Sequence, residues 1–174
     1  KELSAYMLGE SQKSEEEMES VLSEIEESQK GELAENRMLF RVWAKIEGTA
    51  SLEARIRLGE KILSTYEKWK ENDVDQRIEN EVRTVLAEAY EKTGKEELAL
   101  EQYRKVSQWN QTEELYRSMV RIAQNIDEQE ALRLCEEGIA ANPKSKELRL
   151  QLIQIQCKDN VTTKEMCEES IRKI

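Results

Sequence analysis

Apolar residues recur along most of this chain at spacings of three and four, the pattern that places them on one face of an α-helix. Leu86 and Tyr90 lie four residues apart, and Ala99 and Tyr103 repeat the same step further along. Gly94 lies between the two stripes and can adopt the left-handed backbone that ends a helix. The pattern predicts two antiparallel helices joined at Gly94, with the small Ala99 facing Leu86 and Tyr90.

A second copy of this pattern follows. Ala131 and Cys135 are again four residues apart, and Pro143 is expected to end their helix because proline cannot continue one. Thr112 is a predicted N-cap for the preceding helix. That helix offers three apolar positions, Leu115, Met119 and Ile122. Since the motif that begins at Ala99 begins again at Ala131, the sequence predicts an internal repeat of two helices.

Residues 83–103 and 131–143 resemble the tetratricopeptide repeat, whose pattern is W-x2-L-G-x2-Y, then A-x3-F, then Pro. The match departs from that pattern where Arg83 replaces Trp, Ala87 replaces Gly and Gln111 replaces Pro. The resemblance implies a right-handed solenoid of antiparallel helical hairpins. The family repeat is slightly longer than the distance from Ala99 to Ala131, so a tighter turn is expected around residues 125–128.

Weaker copies flank these two. Upstream, the expected helices carry Leu39, Trp43 and Ile46, then Ala54 and Leu58, with the second helix lengthened through Tyr66 and Trp69. Downstream, the expected helices carry Leu148, Leu152 and Ile155, then Cys167 and Ile171. One more helix is predicted near the start, with Met18, Val21, Leu22 and Ile25 on one face and Ser14 as its cap. We therefore expect an acidic helical segment over residues 1–35 and a repeat domain over residues 36–174.

Composition supports an all-α fold, because one Pro, six Gly and one Phe in 174 residues leave few helix breakers and few strand formers. The formal net charge is −10, and residues 1–37 hold 11 acidic against 4 basic residues. A nucleic-acid partner is disfavoured because there is no basic stripe to neutralise phosphates. Direct membrane insertion by this segment is also disfavoured, since no apolar run approaches about 18 residues.

Enzyme chemistry is not expected. The chain has no His and no phosphate-binding or nucleophile motif, so we predict no catalytic residue, no metal and no cofactor. Cys135, Cys157 and Cys167 are expected to be packed thiols in a reducing compartment. The predicted location is the cytoplasm. Because the chain begins at Lys1 and not at Met, we also expect it to be a piece of a longer protein, and the alternative location is the cytosolic part of such a protein with a membrane anchor elsewhere.

The resemblance implies a protein-interaction module that binds a peptide or a helix of a partner in a concave groove lined by the first helix of each hairpin. The implied groove residues are Thr84, Glu88, Tyr116, Val120, Lys146, Arg149 and Ile153. An acidic, apolar partner segment is expected to lie on Tyr116, Arg149 and Ile153. The alternative is a regulatory, scaffolding or self-associating segment of a larger signalling protein, and the sequence favours neither its sensor nor its kinase form.

Overall fold

A computed structural model describes residues 15–20, 23, 51–69 and 76–158, and every regular element in these ranges is an α-helix. After the helical residues 15–20, the elements are α1 (Leu52–Trp69), α2 (Gln76–Lys92), α3 (Glu96–Ser107), α4 (Glu113–Ile126), α5 (Glu128–Ala141) and α6 (Lys146–Lys158). The all-α prediction is thus confirmed for the described part of the chain. The predicted helices at Leu39–Ile46 and Cys167–Ile171 lie outside it, as does the predicted boundary at residue 35.

The chain divides into two compact units, Lys1–Thr93 (unit 1) and Gly94–Ile174 (unit 2). The division falls inside the hairpin predicted around Gly94. Leu86 and Tyr90 are buried in unit 1, and Ala99 is buried in unit 2. That these residues face one another stays a prediction.

Unit 1 is built on the packing of α1 against α2. Its apolar core includes Ala54, Leu58, Ile62, Tyr66, Ile78, Val82, Leu86 and Tyr90. Helical residues 15–20 join α1 through an ion pair of 2.8 Å between Glu19 Oε1 and Arg57 Nε, and Met18 is buried there. The lengthened helix predicted through Tyr66 and Trp69 is confirmed by α1, which has 18 residues.

Unit 2 contains α3 to α6, each of which packs against the next, and α6 also contacts α4. Its core includes Ala99, Tyr103, Leu115, Met119, Ile122, Ala131, Leu134, Cys135, Leu148 and Ile155. The apolar positions predicted for α4 are thus interior residues. Because burying such stripes between neighbouring helices removes apolar surface from water, this packing supplies the main stabilisation of the unit.

The turns of unit 2 follow local chemistry. Gly94, with φ of +74°, takes the predicted left-handed conformation before α3. The backbone N–H of Leu115 donates to Thr112 Oγ1 at 3.4 Å, as expected of an N-cap. Asp127 alone separates α4 from α5, and its side chain accepts from the Gln129 N–H at 3.0 Å. The tight turn predicted around residues 125–128 is therefore confirmed.

The link between α5 and α6 contains Pro143, which follows the end of α5 as predicted. The buried Ser145 immediately precedes α6 and caps it, since its hydroxyl accepts from the Leu148 N–H at 3.1 Å. Asn142 donates from its side-chain amide to the Gln111 carbonyl at 2.9 Å. This bond joins the α5–α6 link to the α3–α4 link, so the two turns lie at the same end of the unit.

Candidate partner-binding surface

Two residues expected to line a groove lie inside unit 2. Val120 is fully buried and Tyr116 is only 6% exposed, and burial raises the pKa of the Tyr116 phenol. A Cβ built on Gly138 of α5 would lie 2.8 Å from Tyr116 Cβ, so the phenol-bearing side chain is packed against that helix. The expectation that Tyr116 and Val120 face a partner is corrected: they are core residues.

The physical reason is a difference in register between first and second helices. Ala99 and Ala131 are the matching positions of the second helices α3 and α5. In the first helices, the buried positions of α2 recur on α4. The distance along the chain between these matching positions is one residue longer than the distance from Ala99 to Ala131. The matching positions are Arg83, Leu86, Ala87 and Tyr90 on α2, and Tyr116, Met119, Val120 and Ala123 on α4. The groove positions implied on α4, Tyr116 and Val120, follow those on α2, Thr84 and Glu88, at the shorter distance, so each falls one position too early and coincides with the buried stripe.

The outward face of α4 is polar and contains two arginines. Arg117 and Arg121 are exposed, Glu114 is exposed and Gln124 is partly exposed. These four positions lie opposite the buried stripe, because successive residues of a helix turn by about 100°. Arg117 and Arg121 were not among the predicted groove residues, although the spacing of Tyr116, Met119 and Ala123, once these are known to be buried, places both arginines on the outward side.

The outward face of α6 carries the three residues that sequence analysis expected there. Lys146 and Arg149 are exposed and Ile153 is partly exposed. The Arg149 guanidinium donates to the carbonyl oxygen of Pro143, in the turn before α6. A guanidinium has five N–H donors, so this bond occupies one of them and directs the group along the start of the helix.

These two faces adjoin. Neighbouring helices joined by short links and packed together are antiparallel, so α4 and α6, each packed on α5, are parallel to one another and in contact. Gly138 of α5 lies against both helices, because a Cβ at this position would meet both Tyr116 of α4, at 2.8 Å, and Leu148 of α6, at 3.1 Å.

Tyr116 and Leu148 are thus matching positions, separated along the chain by the same distance as Ala99 and Ala131. Arg117 follows Tyr116 by one position, and Arg149 follows Leu148 by one position. Because the two helix axes are parallel, the two arginine side chains leave their helices in the same direction. Arg121 and Ile153 likewise follow Tyr116 and Leu148 by five positions. We call the surface formed by Glu114, Arg117, Arg121, Lys146, Arg149 and Ile153 the α4–α6 face.

The remaining expected groove residues belong to unit 1. The Thr84 side chain is partly exposed, and its hydroxyl donates to the Asn80 carbonyl of its own helix at 2.8 Å. Glu88 is exposed one turn further along α2. Both lie on the outward side of α2, away from the buried Leu86 and Ala87. The exposed Glu81 lies beside them, so this side of α2 is acidic within its own unit.

Unit 2 also has a small apolar patch at the opposite end from the Gln111–Asn142 bond. Leu98 and Ile126 are 42% and 40% exposed and border an open depression of about 500 Å³. At its edge the Asn125 side-chain amide donates to Glu96 Oε1 at 2.7 Å. A patch of two apolar side chains is common on protein surfaces and by itself indicates no ligand.

A buried polar cluster lies in unit 1, where sequence analysis predicted only an imperfect match to the repeat. The Arg83 guanidinium is 7% exposed and donates to Glu79 Oε1 at 2.7 Å, with Glu67 at 3.3 Å. Burial, with the nearby Glu79 carboxylate, raises the pKa of Tyr66 to about 12. Arg83 thus occupies an interior position, and a charge partner four residues earlier compensates its burial.

The cysteines differ from expectation at one position. Cys135 is a buried free thiol, as predicted, and its burial raises the pKa of that thiol to about 11. Cys157, at the end of α6, is disulfide-bonded, so the expectation of three packed thiols is wrong there. The expected reducing compartment rested on three thiols and so loses the support of Cys157.

Within the described residues, no three Cys, Asp or Glu side chains converge in a way that could hold a metal ion. Among the same residues, no helix combines the length and the apolar character needed to cross a membrane. No protein-family model matches the chain, and no curated protein matches its sequence.

Proposed function

We propose that this chain is a protein-interaction module of the tetratricopeptide type, which binds a peptide or a helix of a partner protein. The observation that carries the proposal is the parallel, side-by-side arrangement of α4 and α6 in front of α5. In such repeats the first helices of successive hairpins line the groove, and α4 and α6 are the first helices here.

The recurrence of burial supports the same proposal. In unit 2 the interior positions of α4 recur on α6 at a constant distance along the chain, so that Tyr116 matches Leu148 and Ala123 matches Ile155. A structural repeat of this kind presents equivalent surface positions in rows, which suits an extended or helical ligand lying across several helices. Within unit 2, the α4–α6 face is formed by such equivalent surface positions on α4 and α6.

Affinity capture followed by mass spectrometry tests the proposal, with a surface variant as the comparison. We expect the full chain to enrich at least one protein that Ile153→Asp fails to enrich. The matched control is Ile139→Asp, which introduces the same charge at a partly exposed isoleucine of α5, away from the α4–α6 face.

Both variants should keep the helical circular-dichroism spectrum of the parent chain. A capture profile that Ile139→Asp changes as much as Ile153→Asp would contradict binding at the α4–α6 face. If the parent chain enriches no protein specifically from any extract in which it is stable, that result would contradict the interaction function itself.

A further inference from the structure

Positive charge is concentrated on the α4–α6 face of a chain whose formal net charge is −10. Arg117 and Arg121 of α4 and Lys146 and Arg149 of α6 are all exposed there. Glu114 is the one carboxylate among the six residues that define the face. The six residues together carry a formal charge of +3, from four cations and one carboxylate, which is opposite in sign to the charge of the whole chain; the partly exposed Glu113 lies one turn before Arg117, at the edge of the face.

The arrangement also contains an apolar position. Ile153 is partly exposed and occupies on α6 the position that Arg121 occupies on α4. Arg117 and Arg149 match one another across the two helices. A ligand lying across the face thus meets a guanidinium from each helix and one apolar side chain beside them.

We propose that the α4–α6 face recognises a segment of a partner protein that is rich in Asp and Glu and places an apolar side chain on Ile153. This inference rests on the proposed interaction function and specifies the chemistry of the partner. Arginine binds carboxylates through paired N–H donors, and arginine is enriched among residues that dominate binding energy at interfaces.

A protein segment suits the face better than a nucleic acid does. A polyanion approaching a chain of net charge −10 is repelled at long range, whereas a short acidic segment experiences mainly the local cations. The apolar surface of Ile153 has a complementary group in a peptide that carries Leu, Ile or Val. A phosphate backbone offers none.

The test is a fluorescence-anisotropy titration of the full chain with two labelled peptides of equal length, both amidated at the carboxyl end. One probe is built from Glu and Leu, and the other from Lys and Leu. We expect saturable binding of the Glu/Leu probe at the α4–α6 face. The Lys/Leu probe, which the net charge of −10 attracts to other surfaces, should not compete with it there. Raising the salt concentration should weaken the Glu/Leu complex, because exposed charges are screened.

Charge reversal locates the site. Arg117→Glu and Arg149→Glu should each weaken the Glu/Leu complex about tenfold, since each replaces an attraction with a repulsion. Arg133→Glu is the matched control, because Arg133 is exposed on α5 and the change in net charge is the same. It should leave the affinity within about twofold. Circular dichroism of each variant checks that the fold is retained.

Equal losses in Arg117→Glu and Arg133→Glu would overturn the proposal, because the attraction would then be general and not local. Tighter binding of a single-stranded oligonucleotide than of the Glu/Leu probe would overturn the choice of a protein segment. A peptide of residues 1–37, which holds 11 acidic residues, is a further competitor. If it binds the face more tightly than the probe, the occupant is this chain itself and the choice of a partner protein is overturned.

Failure of the acidic-segment inference can be distinguished from failure of the proposed interaction function. If captured partners depend on Ile153 but resist Arg117→Glu and Arg149→Glu, the interaction function stands and the acidic-segment inference fails. If no protein is captured and the Glu/Leu probe does not bind, both fail.

Discussion

Gly138 of α5 lies so close to Tyr116 of α4 that a methyl group does not fit between them. A Cβ at position 138 would lie 2.8 Å from Tyr116 Cβ and 3.1 Å from Leu148 Cδ1. Tyr116 Cβ is fixed to its own backbone and cannot rotate away. Gly138 therefore sets how closely α5 approaches α4 and α6, and with it the relative placement of the two helices that form the α4–α6 face.

Gly138→Ala should destabilise unit 2. Overpacking costs about 1 to 3 kcal/mol, and the better helix propensity of alanine returns up to about 1 kcal/mol. The expected net loss in the free energy of unfolding, measured by urea denaturation, is about 1 to 2 kcal/mol. Ala140→Leu enlarges an exposed residue of the same helix and should change stability by less than about 0.5 kcal/mol. An alanine variant as stable as the parent would show that α4 and α5 are further apart.

Replacing only one partner of the Glu79–Arg83 ion pair should lower the free energy of unfolding strongly. Arg83→Met leaves a buried carboxylate without its main partner, and the expected loss is about 3 to 5 kcal/mol. The double variant Glu79→Gln with Arg83→Met removes the stranded charge, so it should recover part of that loss. Urea denaturation of the two single variants and the double variant measures the coupling. Additive losses would mean that the two side chains do not interact.

Ionisation of Tyr66 should make the folded chain less stable at alkaline pH. Its pKa is raised to about 12 in the folded chain, above the ordinary value of 10, because burial and Glu79 disfavour the phenolate. A group whose folded pKa is raised contributes stability that is fully present below pH 10 and is lost as the pH rises towards 12. Tyr66→Phe should reduce the fall in unfolding free energy over that window. An unchanged pH profile in the variant would place the effect elsewhere.

Much of the local structure follows from the sequence because it depends on nearest neighbours. The left-handed Gly94, the cap at Thr112, the turn at Asp127 and the helix end before Pro143 each depend on a few adjacent residues. The apolar stripe of α4 was likewise visible in the spacing of Leu115, Met119 and Ile122.

What the sequence did not yield depends on register and on distant partners. The shift on α4 arises because the repeat is one position longer between the first helices α2 and α4 than between the second helices α3 and α5. Because of that shift, Tyr116 was predicted to be the surface residue, whereas the exposed residue is Arg117. The buried Arg83 was recognised as a departure from the family, but its pairing with Glu79 at an interior position became visible only in the packed structure.

The α4–α6 face requires that α4 and α6 be parallel neighbours with Arg117 and Arg149 on the same side of unit 2. Neighbouring helix axes lie about 8 to 10 Å apart, a distance that a short bismaleimide can bridge. Arg117→Cys with Arg149→Cys should therefore form an intramolecular cross-link in the full chain, located by mass spectrometry of the digested protein. Arg117→Cys with Arg133→Cys, which pairs the face with α5, is the control. We expect rapid cross-linking of positions 117 and 149 and little between 117 and 133. The reverse result would show that Arg117 and Arg149 do not share a face.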